Sequence, residues 1–155
     1  MKPSLILGLI LASLAALPLL AQNARGNADR LFSSPPQGRT EREKEVLAIL
    51  QDIDQTQRRG SMSVPMEDGR ILRLLAESMG ATNVVEIGTS IGYSGLWFCL
   101  ALEKTGGTLT TFEIDEGRAS KARENFKRAG MQKIIKIVMG DAHEQVKKLS
   151  TPIDI

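Results

Sequence analysis

Residues 84–94 read Val84-Val85-Glu86-Ile87-Gly88-Thr89-Ser90-Ile91-Gly92-Tyr93-Ser94 and run straight into the apolar segment Leu96-Trp97-Phe98-Cys99-Leu100-Ala101-Leu102. The short β-branched run predicts a strand, the two glycines a loop, and the apolar segment a helix. A buried strand feeding a helix this way points the helix's free N–H groups and its positive dipole end at one spot. Open α/β sheets bind their ligands at that end of the strands. A small-molecule site is therefore expected here.

Downstream, strands and helices alternate. Gly106-Gly107 turns out of the first helix, and the β-branched and aromatic residues 108–114 predict a second strand. A helix over 116–129, rich in Lys and Arg on its polar face, is closed by Gly130. Residues 134–139 form a third strand, Gly140-Asp141-Ala142 turns out of it, and 144–149 make a short helix. Residues 151–155 have the pattern of a fourth strand's beginning. This alternation implies an α/β fold with a parallel sheet and right-handed crossovers.

Upstream, Thr40 can cap a helix with Glu43 three positions on. Val46, Leu47, Ile49, Leu50 and Ile53 give that helix one apolar face, and Arg58-Arg59-Gly60 ends it. Two roles stay open for it, packing on the domain or closing as a lid over substrate. A second helix spans 66–79, with Ile71, Leu72, Leu74 and Leu75 expected inward and Gly80 as its stop. The linker 61–65, extended by Pro65, can lie across the mouth of the glycine loop.

At the start of the chain, Lys2 precedes an uncharged, leucine-rich run over 4–21, with small residues at Ala21 and Ala24. That is the form of a secretory signal, residues 1–24, or of an uncleaved N-terminal anchor. Both place the folded part outside the cytoplasm, exported to a periplasm or secreted. Residues 25–39 then read as a linker, and 40–155 as one domain.

Composition narrows the function. The chain has 155 residues, 42% apolar and 25% charged, with formal net charge +2. Aromatics are only 4%, and no basic stripe stands out, so no nucleic-acid partner is expected. The single cysteine, Cys99, cannot form an intramolecular disulfide and reads as a buried small hydrophobe.

The loop Gly88-Thr89-Ser90-Ile91-Gly92 lacks the Gly-x-Gly pair that brings backbone against a pyrophosphate, and no Gly-Lys-Ser/Thr follows it. What it has are acidic residues: Glu86 at the end of strand one, Glu113 at the end of strand two, and Asp141 after strand three. Glu113 lies about 25 positions beyond Gly88, near the spacing at which a carboxylate accepts hydrogen bonds from ribose hydroxyls. A ligand with ribose, adenine and a cationic amino-acid end, but no phosphates, suits this arrangement. S-adenosylmethionine fits that description.

Over residues 61–155 the sequence resembles the class I S-adenosylmethionine-dependent O-methyltransferases of the catechol and caffeoyl-CoA type. The resemblance rests on Met62-Ser63-Val64 with Gly69, on the run 84–94, on Thr111-Phe112-Glu113-Ile114-Asp115, on Ala129-Gly130 and on Gly140-Asp141-Ala142. It implies a Rossmann-like parallel sheet with helices on both faces, of which this chain carries about four of the family's seven strands. It also implies a small-molecule hydroxyl acceptor, phenolic or catechol-like.

By this resemblance Gly88 and Thr89 line the methionine part of the cofactor, and Gly92 and Tyr93 are also among the cofactor-binding residues. Ser94 reaches its carboxylate, Val64 offers a backbone contact near the amino acid, and Glu86 belongs to the network at that end. Glu113 holds the ribose hydroxyls and Asp141 and Ala142 edge the adenine, with Ile114 and His143 as further cofactor-binding candidates. The family further implies a divalent metal of the Mg²⁺ type, whose ligands and catalytic lysine fall beyond Ile155, so the chain reads as truncated before them. No catalytic residue is assigned.

Plainer roles stand beside these. Glu86 can bond loop amides, Glu113 can be a solvated strand-end charge, and Asp141 can serve only as a helix N-cap. Two other functions also remain open: an exported, inactive binding module of this fold, and a nicotinamide-dependent oxidoreductase domain. Membrane contact is expected only through an uncleaved leader, and a homodimer is compatible with the reading.

Overall fold

The computed structural model describes residues 34–155, of which those from Gln37 to Ile155 form one compact unit. The expected leader and most of the linker lie outside the described residues. Among the described residues no helix is long and apolar enough to cross a membrane.

Helix α1 spans Glu41–Thr56 and starts where Thr40 accepts a hydrogen bond from the Glu43 N–H, as the sequence implies. Its apolar face is buried: Val46 and Ile53 are fully inside, with Leu47 and Leu50 nearly so. It packs on the later helices, so the lid role is not what the structure shows. Glu43 itself is buried and ion-paired with Arg73 of the next helix, while its other oxygen accepts from the Arg39 N–H.

Helix α2, Met66–Met79, has the expected bounds and ends on the left-handed Gly80. Its expected inward face is not where the pattern put it. Ile71, Leu74 and Leu75 are 45%, 66% and 48% exposed, and only Leu72 of the four packs on the core. The helix is anchored instead through Gly69 and Ala76, roughly 200° round the axis from Ile71 by helical geometry. The Trp97 ring lies so close over Gly69 that a β-carbon there would overlap it. Small residues let the two helices approach, and that approach decides which side faces in.

Strand β1, Asn83–Ile87, leads through the glycine loop into α3, Tyr93–Thr105. The latter is apolar nearly all round, with Trp97, Leu96, Cys99 and Leu102 essentially inaccessible. It is the central helix, as such a sequence requires. Then follow β2 (Thr108–Glu113), α4 (Glu116–Arg128, capped by Asp115), β3 (Ile135–Met139) and α5 (Ala142–Gln145). A 3-10 turn over Val146–Lys148 continues from α5. The helix expected over 144–149 begins earlier because Asp141 caps it.

The three strands are parallel in the order β1-β2-β3, with Glu86 opposite Thr111 and Glu113 opposite Met139. Val84 and Leu109 point from one face into the main core beneath α3 and α4. On the opposite face Phe112 is buried apart from that cluster. The short α5 segment lies against β2.

The expected fourth strand is present only as an incipient pairing. The Asp154 N–H donates to the Asn83 carbonyl and the Val85 N–H to the Ile155 carbonyl, each at 2.9 Å. The chain therefore returns to the free edge of β1 after stepping outward through β2 and β3. The order in which strands are added reverses beside β1, and the crevice at such a switch point is where open α/β sheets take ligands.

Candidate functional site

The loop after β1 is pinned to its neighbour. The N–H groups of Gly88 and Thr89 both donate to the Phe112 carbonyl at 3.0 Å, and the Ser90 N–H donates to Glu113 Oε2 at 2.8 Å. Gly88 has φ +96°, and nothing stands within 4 Å of where its β-carbon would be. That position is open to an approaching group. No side chain caps α3, so its first-turn N–H groups are left for water or a ligand.

Behind the loop lies a chain of hydroxyls ending on Glu86. Ser94 donates to Glu86 Oε1 at 2.5 Å and Thr111 to Oε2 at 2.6 Å. The Thr89 hydroxyl stands 2.7 Å from that of Thr111. Burial pushes the Glu86 carboxyl up from its ordinary value, against the lowering effect of the two hydroxyls.

Glu113 is 5% exposed yet ionises more readily than an ordinary carboxyl. Burial alone acts to raise it, but several donors outweigh that effect. Oε1 accepts from the N–H groups of Ile114 (2.9 Å) and Asp115 (3.0 Å) and from Arg118 Nε (3.2 Å), and Oε2 from Ser90. The solvated-charge reading is thereby excluded. With Ser90 as its donor, Oε2 keeps an acceptor position beside the loop.

Around the rim stand the adenine-side candidates. Ile114 is 69% exposed, and the Gly140 N–H donates to the Glu113 carbonyl, which joins the turn after β3 to the end of β2. Asp141 caps α5 through the His143 N–H at 2.9 Å, which with the adjacent His143 ring holds its pKa low. Ala142 is half-buried and the His143 side chain projects into solvent. Val64 is half-buried on the core, in a linker held by Arg58, which bonds the Ser63 carbonyl at 3.2 Å and lies over the Tyr93 ring.

Four of the expected cofactor-binding residues are turned toward the protein interior. Gly92, at φ +83°, backs onto Phe126, where a β-carbon would stand 2.6 Å from the ring, so it faces the core. Tyr93 is 3% exposed and meets Trp97 edge-on. Thr89 is 1% exposed and uses its N–H and hydroxyl internally. Ser94 gives its proton to Glu86 rather than outward. The reason is common to all: a turn tight enough to expose Gly88 turns the next residues back into the protein.

Comparison with known proteins decides the family. A family model described as O-methyltransferase matches residues 37–152. The chain belongs to the O-methyltransferase family. A catechol O-methyltransferase of Niastella koreensis is 38% identical over 89 residues, covering 57% of this chain and 40% of that protein. The O-methyltransferase of Bacillus cereus, solved with S-adenosylhomocysteine, superposes with TM-score 0.61 at 28% identity, over 83% of this chain and 58% of that one. TomG of Streptomyces achromogenes, solved with S-adenosylmethionine, gives 0.62 at 28%, over 81% and 54%. The chain thus spans roughly half the length of these relatives.

Within this O-methyltransferase domain, three supporting features escaped the sequence reading. Thr111 is one, since in sequence it is an ordinary strand threonine. Asn125 is another: it donates to the Ile91 carbonyl at 2.9 Å and exchanges hydrogen bonds with Gln57, fastening loop, α4 and α1 together. Its signal was an amide on an otherwise charged helix, buried at 1%. Arg118, in the first turn of α4 and paired with Glu113, is the third.

Proposed function

We propose that this domain binds S-adenosylmethionine at the loop 88–92 and belongs to an enzyme that methylates a hydroxyl of a small phenolic, catechol-like acceptor. The observation that carries it is the pair of carboxylates, Glu86 and Glu113, at the ends of adjacent parallel strands on either side of the open Gly88 turn. Both retain acceptor capacity, Glu86 toward a cationic amino-acid end and Glu113 toward sugar hydroxyls. The exposed Ile114 offers an apolar face for a base. The residues present fit this cofactor, and the Bacillus cereus and Streptomyces achromogenes neighbours were solved with its product and with it, respectively.

When bound, the cofactor supplies an activated methyl on a sulfonium. The chain's own contribution is orientation: a turn fixed to β2 by three backbone donors and a carboxylate locked by hydroxyls. In-line displacement depends chiefly on such positioning. A divalent metal is expected from the family resemblance. Among the described residues no group of three His, Cys, Asp or Glu side chains could hold one, and no step is assigned to it.

Calorimetric titration of the folded chain with S-adenosylhomocysteine tests the reading. Saturable heat with no response to NADH supports it, and absence of heat rejects it. Export through the leader over 4–21 is part of the proposal. A mature chain shortened by about 24 residues in the exported fraction supports it, and a full-length cytoplasmic product rejects it.

A further inference from the structure

We propose that Thr111 is a positioning residue for the cofactor's cationic end, acting through Glu86. This rests on the cofactor reading above.

Thr111 sits in the middle of β2, fully buried, on the sheet face that lies under the helices. A valine would suit that place as a strand residue, and a hydroxyl there is costly unless it is satisfied. Its bonds show what it does. Thr111 has one proton, and it goes to Glu86 Oε2 at 2.6 Å. The 2.7 Å contact to Thr89 therefore requires Thr89 to donate. Ser94 donates to Oε1. When Glu86 is ionised all three hydroxyl protons can run toward it, so the hydroxyls favour the charged form against burial.

Each Glu86 oxygen accepts one of these bonds and keeps further lone-pair capacity, as an ammonium would need. Burial works against the charge, and the two hydroxyls work for it. The titratable neighbours are the Cys99 thiol on α3, which Glu86 pushes upward together with burial, and Glu113 further along the same face of β2. Thr111 also ties the loop to β2, because Thr89 donates to it from within the glycine turn. One hydroxyl thus fixes both the charge and the backbone that presents it.

The test uses the full chain with Thr111→Val and Thr111→Ser. First, the Glu86 carboxyl is titrated by carbon-13 NMR. Its midpoint should rise by about one pH unit in the valine variant and return in the serine variant. An unchanged midpoint overturns the proposal. Second, affinities are measured for S-adenosylhomocysteine and for 5′-methylthioadenosine, which lacks the ammonium and carboxylate.

Thr111→Val should weaken the first about tenfold and the second less than about twofold. Equal losses would mean a merely structural role and overturn it. If the wild-type chain binds neither compound, the cofactor reading fails, while the titration still decides whether Thr111 governs Glu86. Should Thr111→Val not fold, Thr89→Val removes the donor behind Thr111 and is read in the same two ways.

Discussion

Glu86 and Glu113 end neighbouring strands, yet their surroundings move them in opposite directions. Burial dominates at Glu86 and raises it. At Glu113 burial is outweighed by the N–H groups of Asp115, Ser90 and Ile114 and by Arg118, and the carboxyl is lowered from 4.5. A carboxyl lowered in the folded state adds stability that is present above its unfolded value and lost as pH falls through its folded one. Urea midpoints measured from pH 6 to 3 should therefore drop below about pH 4.5. Glu113→Gln should lower stability by about 1–2 kcal/mol at neutral pH, the gap to wild type closing toward pH 3. A constant gap would show that the charge is not what the loop uses. Gly92 makes a second case at this scale. Its positive φ costs any other residue about 1–2 kcal/mol, and overlap with Phe126 adds to it, so Gly92→Ala should cost about 2–4 kcal/mol by denaturant titration.

Among the elements, α2 is the one whose burial the pattern misplaced. Periodicity shows that Ile71, Leu74 and Leu75 share a side, but not what stands across from it. In this chain Gly69 and Ala76 face α3 instead. Leu74→Gln, at a position 66% exposed, should change stability by less than about 0.5 kcal/mol. Gly69→Ala should destabilise by about 1–2 kcal/mol, because the displaced Trp97 outweighs the roughly 1 kcal/mol gain in helix propensity. Thermal or urea unfolding of both variants measures this, and a costly Leu74 with a harmless Gly69 would reverse the assignment of faces. By contrast the start of α1 was legible: Thr40 and the apolar spacing are local signals and each acts where it stands, while the helix stops at Thr56 with Gln57 as its cap, ahead of the expected Arg58-Arg59-Gly60.

For the molecule as a whole, topology places the site. The chain steps from β1 to β3 and returns to β1's free edge, where Asp154 accepts from the N–H groups of Thr82 and Asn83. Hydrogen exchange should find the Val85 amide protected through Ile155, and Asp154→Ala should speed exchange at Thr82 and Asn83. S-adenosylhomocysteine at about 100 times its dissociation constant should stabilise the fold by about 2.7 kcal/mol. The order of strands and helices, the glycine turn and the two flanking acids were all readable, because each is written in consecutive residues through period, breaker and cap. The hydroxyl relay was not, nor was the inward turn of Gly92 and Tyr93 or the side on which α2 packs. Each depends on register and packing between segments far apart in the chain, as when strand pairing sets Glu86 opposite Thr111. Local sequence determined which elements form and where they stop. Only the tertiary structure decided which side chains meet, because such meetings follow from how closely surfaces can approach.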